Sequence, residues 1–336
     1  MEIFLGDNHS SDTPTLSAAN TETERRILAL LAQSYPQLAT GSCELEIIGG
    51  ANVNSGNFKV GDYYIKTLKP KPGLDYVFEF PRITAAMQAA GVVALSFVRN
   101  RDGSEISERR NEAGEVELYF YVQPYVDARF YSGTVQEFQS VLQVLKLLRV
   151  ATRGLTPRPG QREPFASWHP VQTMKRIASH FGANTTRPQR PFDQVARLLL
   201  DRLREYAESY RPRHQGWNEL HHIDLHPHNL FFTNGRLRAV LDIESFRVIP
   251  SELATGFALF KLGRKSISNG HLDLRAFKYA CLGEFDLAAL FPFVQTELYR
   301  RLMLILERHY FKADHEWDSD LFKHSAGLHE LEAMFL

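Results

Sequence analysis

The spacing of apolar and polar positions divides the chain into two regimes. Between residues 43 and 121, short apolar runs break at small-residue turns. The segments 43–48, 57–60, 63–68, 92–98 and 115–121 each have the length and composition of a strand. After the run Tyr121-Val122-Gln123-Pro124-Tyr125-Val126-Asp127-Ala128 the period becomes helical. Val135, Phe138, Val141, Leu142, Leu145 and Leu148 share one face, 195–210 repeats the pattern, and 254–265 and 291–310 read as further helices. Ahead of the strands, Thr21-Glu22-Thr23-Glu24 has capping-box spacing before Ile27, Leu28, Leu30 and Leu31, which predicts a helix to about Tyr35. The Ser-, Thr- and Asn-rich stretch before it reads as a mobile leader, residues 1–20. The pattern predicts an α+β chain: a five-stranded antiparallel sheet plus a helix over 21–124, then a mostly helical 125–336.

Composition narrows the function classes. A chain of 336 residues is long enough for two lobes, and 44% hydrophobic with 23% charged residues is an ordinary globular balance. Lys plus Arg equals Asp plus Glu, so nothing in the net charge argues for nucleic acid or an anionic membrane as partner. Cys43 and Cys281 are too few for a disulfide framework, and no apolar run approaches the ~20 residues of a membrane span. The start of the chain lacks signal-peptide character, so a cytoplasmic location is expected.

The densest candidate chemistry is His222-Ile223-Asp224-Leu225-His226-Pro227-His228-Asn229. It leads into two short apolar runs, 230–232 and 237–241, separated by Thr233-Asn234-Gly235-Arg236, whose Asn-Gly pair predicts a tight hairpin. A hairpin there brings Asn229 and Asp242 together at its open end. Phosphoryl transfer needs one carboxylate beside the attacking hydroxyl, plus an amide oxygen and a second carboxylate on the magnesium that neutralises the phosphates. Asp224 fits the first role, and Asn229 with Asp242 the second. A second reading takes His221, His222, His226 and His228 as a transition-metal cluster of a hydrolase; a third takes them as a structural loop.

The stretch resembles the aminoglycoside phosphotransferase and choline kinase superfamily, whose catalytic loop has the form His-Gly-Asp-x-His-x-x-Asn. The match covers His222 to Asn229 with Ile223 in place of Gly, and Leu241-Asp242-Ile243-Glu244 is similar to the family's Ile-Asp-Phe-Glu. The resemblance implies a two-lobed protein-kinase-like fold and transfer of the ATP γ-phosphate to a hydroxyl of a sugar, amino sugar, amino alcohol or aminoglycoside. Asp224 then orients the hydroxyl and accepts its proton, while Asn229 and Asp242 hold magnesium. The turn 49–56, with Gly50, Asn54 and Ser55, covers the phosphates, and Lys66 one strand later reaches them. Glu79 is the expected partner of Lys66, with Asp75 the alternative because Pro81 crowds the helix start. The Pro124 carbonyl and the Val126 amide are the expected adenine contacts. Where family members carry Asp-Leu-Ala, this chain has Ala254-Thr255-Gly256, so the Asp that helps fix their catalytic loop is missing. A nucleotide-binding pseudokinase remains an alternative function. The acidic stretch Asp314, Glu316, Asp318 and Asp320 around Trp317 reads either as a pocket for a cationic acceptor or as a solvated helix end. The basic, proline-rich loop 156–164 carries no assigned role.

Overall fold

The computed structural model describes residues 15–18, 21–38, 45–49, 55–70, 74–161, 168–183, 190–211 and 219–336. Its amino-terminal part is an antiparallel sheet. Strands β1 (Thr15–Ala18), β2 (Leu45–Gly49), β3 (Ser55–Val60), β4 (Tyr63–Leu68), β5 (Ser107–Arg110) and β6 (Val116–Pro124) lie in the order β1-β2-β3-β4-β6-β5. Five strands form the expected sheet and β1 adds a sixth at its edge, paired from Thr15↔Gly49 to Ala18↔Glu46. That pairing corrects the leader reading for Thr15–Ala18; residues 1–14 lie outside the described set.

One strand is not where the apolar pattern put it. The stretch 92–98 makes a single parallel bridge, Ala94 to Val240, and the fifth strand is β5, in the polar segment between 92–98 and 115–121. The backbone groups of 92–98 are spent on several partners. Val93 O accepts from Val240 N at 2.9 Å, and Val98 N donates to Val122 O at 2.8 Å. Ala94 O and Leu95 O accept from the side chains of Gln88 and Gln123. A segment whose bonds go to a hairpin, a sheet and two side chains does not pair with one neighbour as a ladder.

Helix α1 (Thr21–Ser34) lies on one face of the sheet, where Ile27, Leu30, Leu31 and Tyr35 pack with Phe58, Ile65, Phe120 and Val122. Side chains alternate along β4, so Ile65 meets α1 while Lys66, opposite Tyr121 of β6, faces the other way. Helix α2 (Phe80–Ala89) follows a short 3₁₀ turn, Leu74–Glu79. Its Phe80, Ile83 and Met87 join a core that continues through Phe138 and Leu145 into Phe257, Leu298 and Leu302. The sheet and the helical region therefore share buried surface.

The remainder is mostly helical: α3 (Val135–Ala151), α4 (Pro170–Ala183), α5 (Pro191–Ser209), α6 (Ser251–Ser268), α7 (Leu274–Cys281), α8 (Leu287–Lys312) and α9 (Asp318–Phe335). Short strands β7 (Arg129–Phe130), β8 (Leu220–His222), β9 (Leu230–Thr233), β10 (Arg236–Val240) and β11 (Phe246–Val248) form two small sheets, β10-β9-β7 and β11-β8. The β9–β10 hairpin is the predicted one. Asn234 and Gly235 sit at φ 52° and 72°, the positive pair that an Asn-Gly turn supplies. No helix among the described residues is long and apolar enough to cross a membrane.

Candidate active site

Two elements distant in sequence meet at Lys66. The hairpin β9–β10 ends at Leu241, whose N–H donates to Asn229 O at 2.9 Å, so the chain leaves the hairpin beside the loop that entered it. Asp242 then takes a left-handed conformation, φ 63° and ψ 48°, which turns the chain into β11. Ser245 secures the turn twice: its N–H donates to Asp242 O at 2.8 Å and its hydroxyl to Asp242 Oδ2 at 2.5 Å. The turn aims Asp242 and Glu244 at β4. Lys66 Nζ donates to Asp242 Oδ1 at 2.9 Å and also pairs with Glu244. All three side chains are largely buried, with 9%, 21% and 17% exposure for Lys66, Asp242 and Glu244. Two carboxylates thus face one ammonium, and Glu244 Oε2 is buried without a hydrogen-bond partner. Burial and the neighbouring Asp242 push the Glu244 carboxyl up against the pull of Lys66. For Asp242, burial acts the same way but Lys66, with the neighbouring Glu244 carboxyl and the Ser245 hydroxyl as hydrogen-bond donors, outweighs it, and the carboxyl stays ionised.

The catalytic-loop residues hold one another. His222 Nδ1 accepts the Asp224 N–H at 3.2 Å, which leaves the proton on Nε2 to donate to Leu241 O at 3.0 Å. The ring is buried and neutral, its pKa pushed down chiefly by desolvation. Asn229 donates its amide to Asp224 O at 2.8 Å and turns its carbonyl oxygen away from that bond. These contacts fix the loop without the Asp that Ala254-Thr255-Gly256 replaces.

The Asp224 carboxylate meets a second set of groups. Lys261 Nζ of α6 donates to Oδ1 at 2.8 Å, Arg301 of α8 lies 3.5 Å from the same oxygen, and His226 Nε2 is 3.6 Å from Oδ2. Burial alone would raise the Asp224 pKa, but the cations Lys261 and Arg301 hold it well below the usual carboxylate range. Desolvation, aided by Arg301, brings Lys261 down to about 8 despite the pull of Asp224. Burial also drives His226 down to about 3, so its ring is neutral. Behind them Glu297, fully buried, accepts from Arg301 at 2.6 Å and from Arg300 at 2.8 Å. The whole group rests on Phe257, with Lys261 and Arg301 4.5 and 4.6 Å from its ring centroid.

The structure thus brings together Lys66, Asp224, Asn229 and Asp242, as the motif order predicts. It does not bring Glu79 to Lys66. Glu79 sits at the start of α2, with Pro81 in the first turn, and accepts from Arg82 and Arg158, each at 2.6 Å. Lys66 takes Glu244 instead. Arg158 belongs to the proline-rich loop, which so acquires a role as a clamp on α2; Arg82 reinforces it by donating to Thr156 O at 2.9 Å. Gly50 and Asn54 lie outside the described residues, as does any contact of the Asp75 side chain; Ser55 opens β3. Pro124 ends β6 on the exposed side, and Val126 is half-buried in the link to β7. The four motif histidines do not converge on a common point. Both His222 nitrogens are used, His226 Nδ1 accepts the His228 N–H at 3.3 Å, and among the described residues the one three-residue group with metal-ligand geometry lies elsewhere. Glu244, Lys261, Glu297 and Arg301 carry the site alongside the expected residues. The Leu241-Asp242-Ile243-Glu244 run holds the first, and a lone Lys after the apolar Phe257-Ala258-Leu259-Phe260 signals the second.

Comparison with known proteins agrees with this geometry. A family model described as phosphotransferase enzyme family matches residues 51–250. Among solved structures, a spectinomycin phosphotransferase in complex with ADP and spectinomycin superposes with a TM-score of 0.61 at 13% identity, over 93% of this chain and 97% of that one. An aminoglycoside phosphotransferase from Alicyclobacillus acidocaldarius gives 0.58 at 17% identity over 85% and 89%. A choline/ethanolamine kinase family protein from Mesorhizobium loti gives 0.53 at 16% identity over 93% and 97%. These likenesses establish the fold. No curated protein matches the chain.

Proposed function

The chain belongs to the phosphotransferase enzyme family, and from that premise we propose that it is an ATP-dependent kinase moving the γ-phosphate to a hydroxyl of a small molecule. The observation that carries this reading is the division of charge across one loop. Asp242, Glu244 and Lys66 form a group suited to a metal-bound nucleotide, while Asp224 is held apart from them by Lys261 and Arg301. Residues 21–124 serve as the nucleotide lobe and 125–336 as the acceptor lobe.

The residues fit magnesium. Asn229, Asp242 and Glu244 offer oxygen donors only, the set a hard dication takes, and the Glu244 Oε2 beside Asp242 is buried without a hydrogen-bond partner. Bound there, magnesium would neutralise phosphate charge during transfer. Lys66 would hold phosphate oxygens, with its ammonium kept charged by Glu244 and Asp242 against desolvation. The turn around Gly50, Asn54 and Ser55 would close over the phosphates, and the Pro124 carbonyl and Val126 amide would bond adenine. Asp224 would accept a hydrogen bond from the acceptor hydroxyl and receive its proton. Lys261, bonded to that carboxylate, fixes its direction.

The same cations bear on the acceptor. A hydroxyl seated on Asp224 lies beside Lys261 and Arg301, which disfavours an ammonium group next to it. The acidic stretch does not compensate: Asp314 lies 3.8 Å from Arg308, Asp320 3.8 Å from Lys323, and Asp318 faces histidines. Neutral sugars and hydroxy acids therefore fit better than aminoglycosides. An ATP-consumption screen across sugars, hydroxy acids, amino alcohols and aminoglycosides tests this; turnover of aminoglycosides above all other classes would contradict it.

A further inference from the structure

Away from the kinase site, the turn between α8 and α9 gathers two imidazoles and a carboxylate. His309 Nδ1, in the last turn of α8, lies 2.8 and 2.9 Å from the two Asp318 oxygens. His315 Nδ1 lies 3.1 Å from His309 Nδ1 and 3.4 Å from Asp318 Oδ2. The chain makes this turn through Ala313, which takes a left-handed conformation, φ 50°. His309 is 4% exposed and its ring stacks on Phe192 at 3.9 Å and 15°, so its direction is fixed by packing; His315 and Asp318 remain open to solvent.

We propose that His309, His315 and Asp318 form a zinc-class metal site, with water completing the coordination. Metal bonds of ~2.0–2.1 Å in a tetrahedron place neighbouring ligand atoms roughly 3.3 Å apart, and His309 Nδ1, His315 Nδ1 and Asp318 Oδ2 are mutually separated by 2.9 to 3.4 Å. Without a metal the cluster is badly matched. A single proton between the two Nδ1 atoms leaves one imidazole lone pair against a carboxylate, and a proton on each sets two N–H groups against one another at 3.1 Å. One dication satisfies all three donors at once. Two imidazoles and a carboxylate are a zinc-type donor set, unlike the all-oxygen set at Asp242.

The site acts as a clip. It ties the end of α8 to the first turn of α9, and it lies eight residues, about 12 Å of helix rise, beyond Arg301. It is therefore structural, independent of the transfer chemistry and of the kinase reading. Trp317, beside Asp318 and under Arg308 at 5.1 Å, offers an internal fluorescence reporter.

The test uses the full-length protein. Metal content is measured by mass spectrometry after dialysis, and chelator-treated protein is titrated with cobalt while following its visible tetrahedral absorption and its tryptophan emission. Stoichiometric binding is expected, with affinity reduced more than ~10-fold in His315→Ala and in Asp318→Asn and unchanged in His226→Ala. His315 is exposed, so its substitution leaves the fold intact. Substoichiometric metal together with no cobalt spectrum overturns the proposal, as does binding undiminished in His315→Ala and Asp318→Asn. Metal lost in His226→Ala instead would place the site in the catalytic loop and equally overturn it.

Discussion

Replacing Glu244 with Gln should make the ligand-free protein more stable and the enzyme worse. Lys66 faces both Asp242 and Glu244, a local balance of two negative charges against one positive, and Glu244 is 17% exposed. Burial and Asp242 together outweigh Lys66 and push the Glu244 carboxyl up, so its ionised form is disfavoured in the folded state relative to water. Substitution by Gln removes one negative charge and leaves the Lys66–Asp242 pair balanced. An amide nitrogen at the position of Oε2, which has no partner, can donate to Asp242. With the carboxyl pushed up from 4.5 to about 7, the relief is on the order of 3 kcal/mol, or a Tm higher by roughly 2–4 °C per kcal/mol. Magnesium and ATP should narrow the difference. Wild-type protein gains about 2.7 kcal/mol at a ligand concentration ~100 times Kd, and a ~10-fold weaker complex forfeits about 1.4 kcal/mol of that. Differential scanning fluorimetry of both proteins, with and without MgATP, measures the two effects. A lowered ligand-free Tm in Glu244→Gln, or an unchanged MgATP response, would refute the charge imbalance as a metal site in waiting.

Other outcomes follow from the same geometry. Glu79→Ala should cost at most ~1 kcal/mol, because its partners Arg82 and Arg158 are 42% and 60% exposed, and should leave the MgATP shift intact. Lys66→Ala should abolish most of that shift; if the two variants behave alike, the Glu244 pairing is wrong. Lys261 is charged below its pKa of about 8 and neutral above it, so turnover should fall as pH rises through about 8. In Lys261→Arg that limb should vanish from the pH–rate profile, and its persistence would assign the limb to another group. Glu297→Gln strands Arg301 in a buried setting and should lower stability by ~3–5 kcal/mol in denaturant titration; a loss under 1 kcal/mol would show that solvent reaches the pair.

What could be read from residues alone was whatever local patterning encodes. The Asn234-Gly235 turn between two apolar runs predicted the hairpin, and the hairpin in turn predicted that Asn229 and Asp242 share one end. The strand carrying Lys66 was legible for the same reason. The partner of Lys66 was not. That contact spans 176 residues at Asp242, and no period or propensity says which of several carboxylates a Lys will meet across two lobes. Order along the chain favoured Glu79, but it caps α2, whose first turn holds Pro81, and there it meets Arg82 and Arg158. The stretch 92–98 is apolar enough for a strand, yet its carbonyls are claimed by Gln88 and Gln123 side chains. Lys261 and Arg301 look like ordinary helix-surface cations in sequence; only the crossing of α6 and α8 beside the loop brings both to Asp224.

The central claim is that Asp224 serves the acceptor and the Lys66–Asp242–Glu244 group serves the nucleotide. It is tested most directly by Asp224→Asn, assayed in parallel for MgATP binding by calorimetry and for turnover with the acceptor found in the screen. Loss of a positioned general base lowers turnover by ~100- to 10,000-fold, and the nucleotide site does not include this carboxylate, so ATP affinity should stay within about threefold of the parent. Near-parental turnover in Asp224→Asn, or loss of ATP binding in step with loss of activity, would contradict the division of labour.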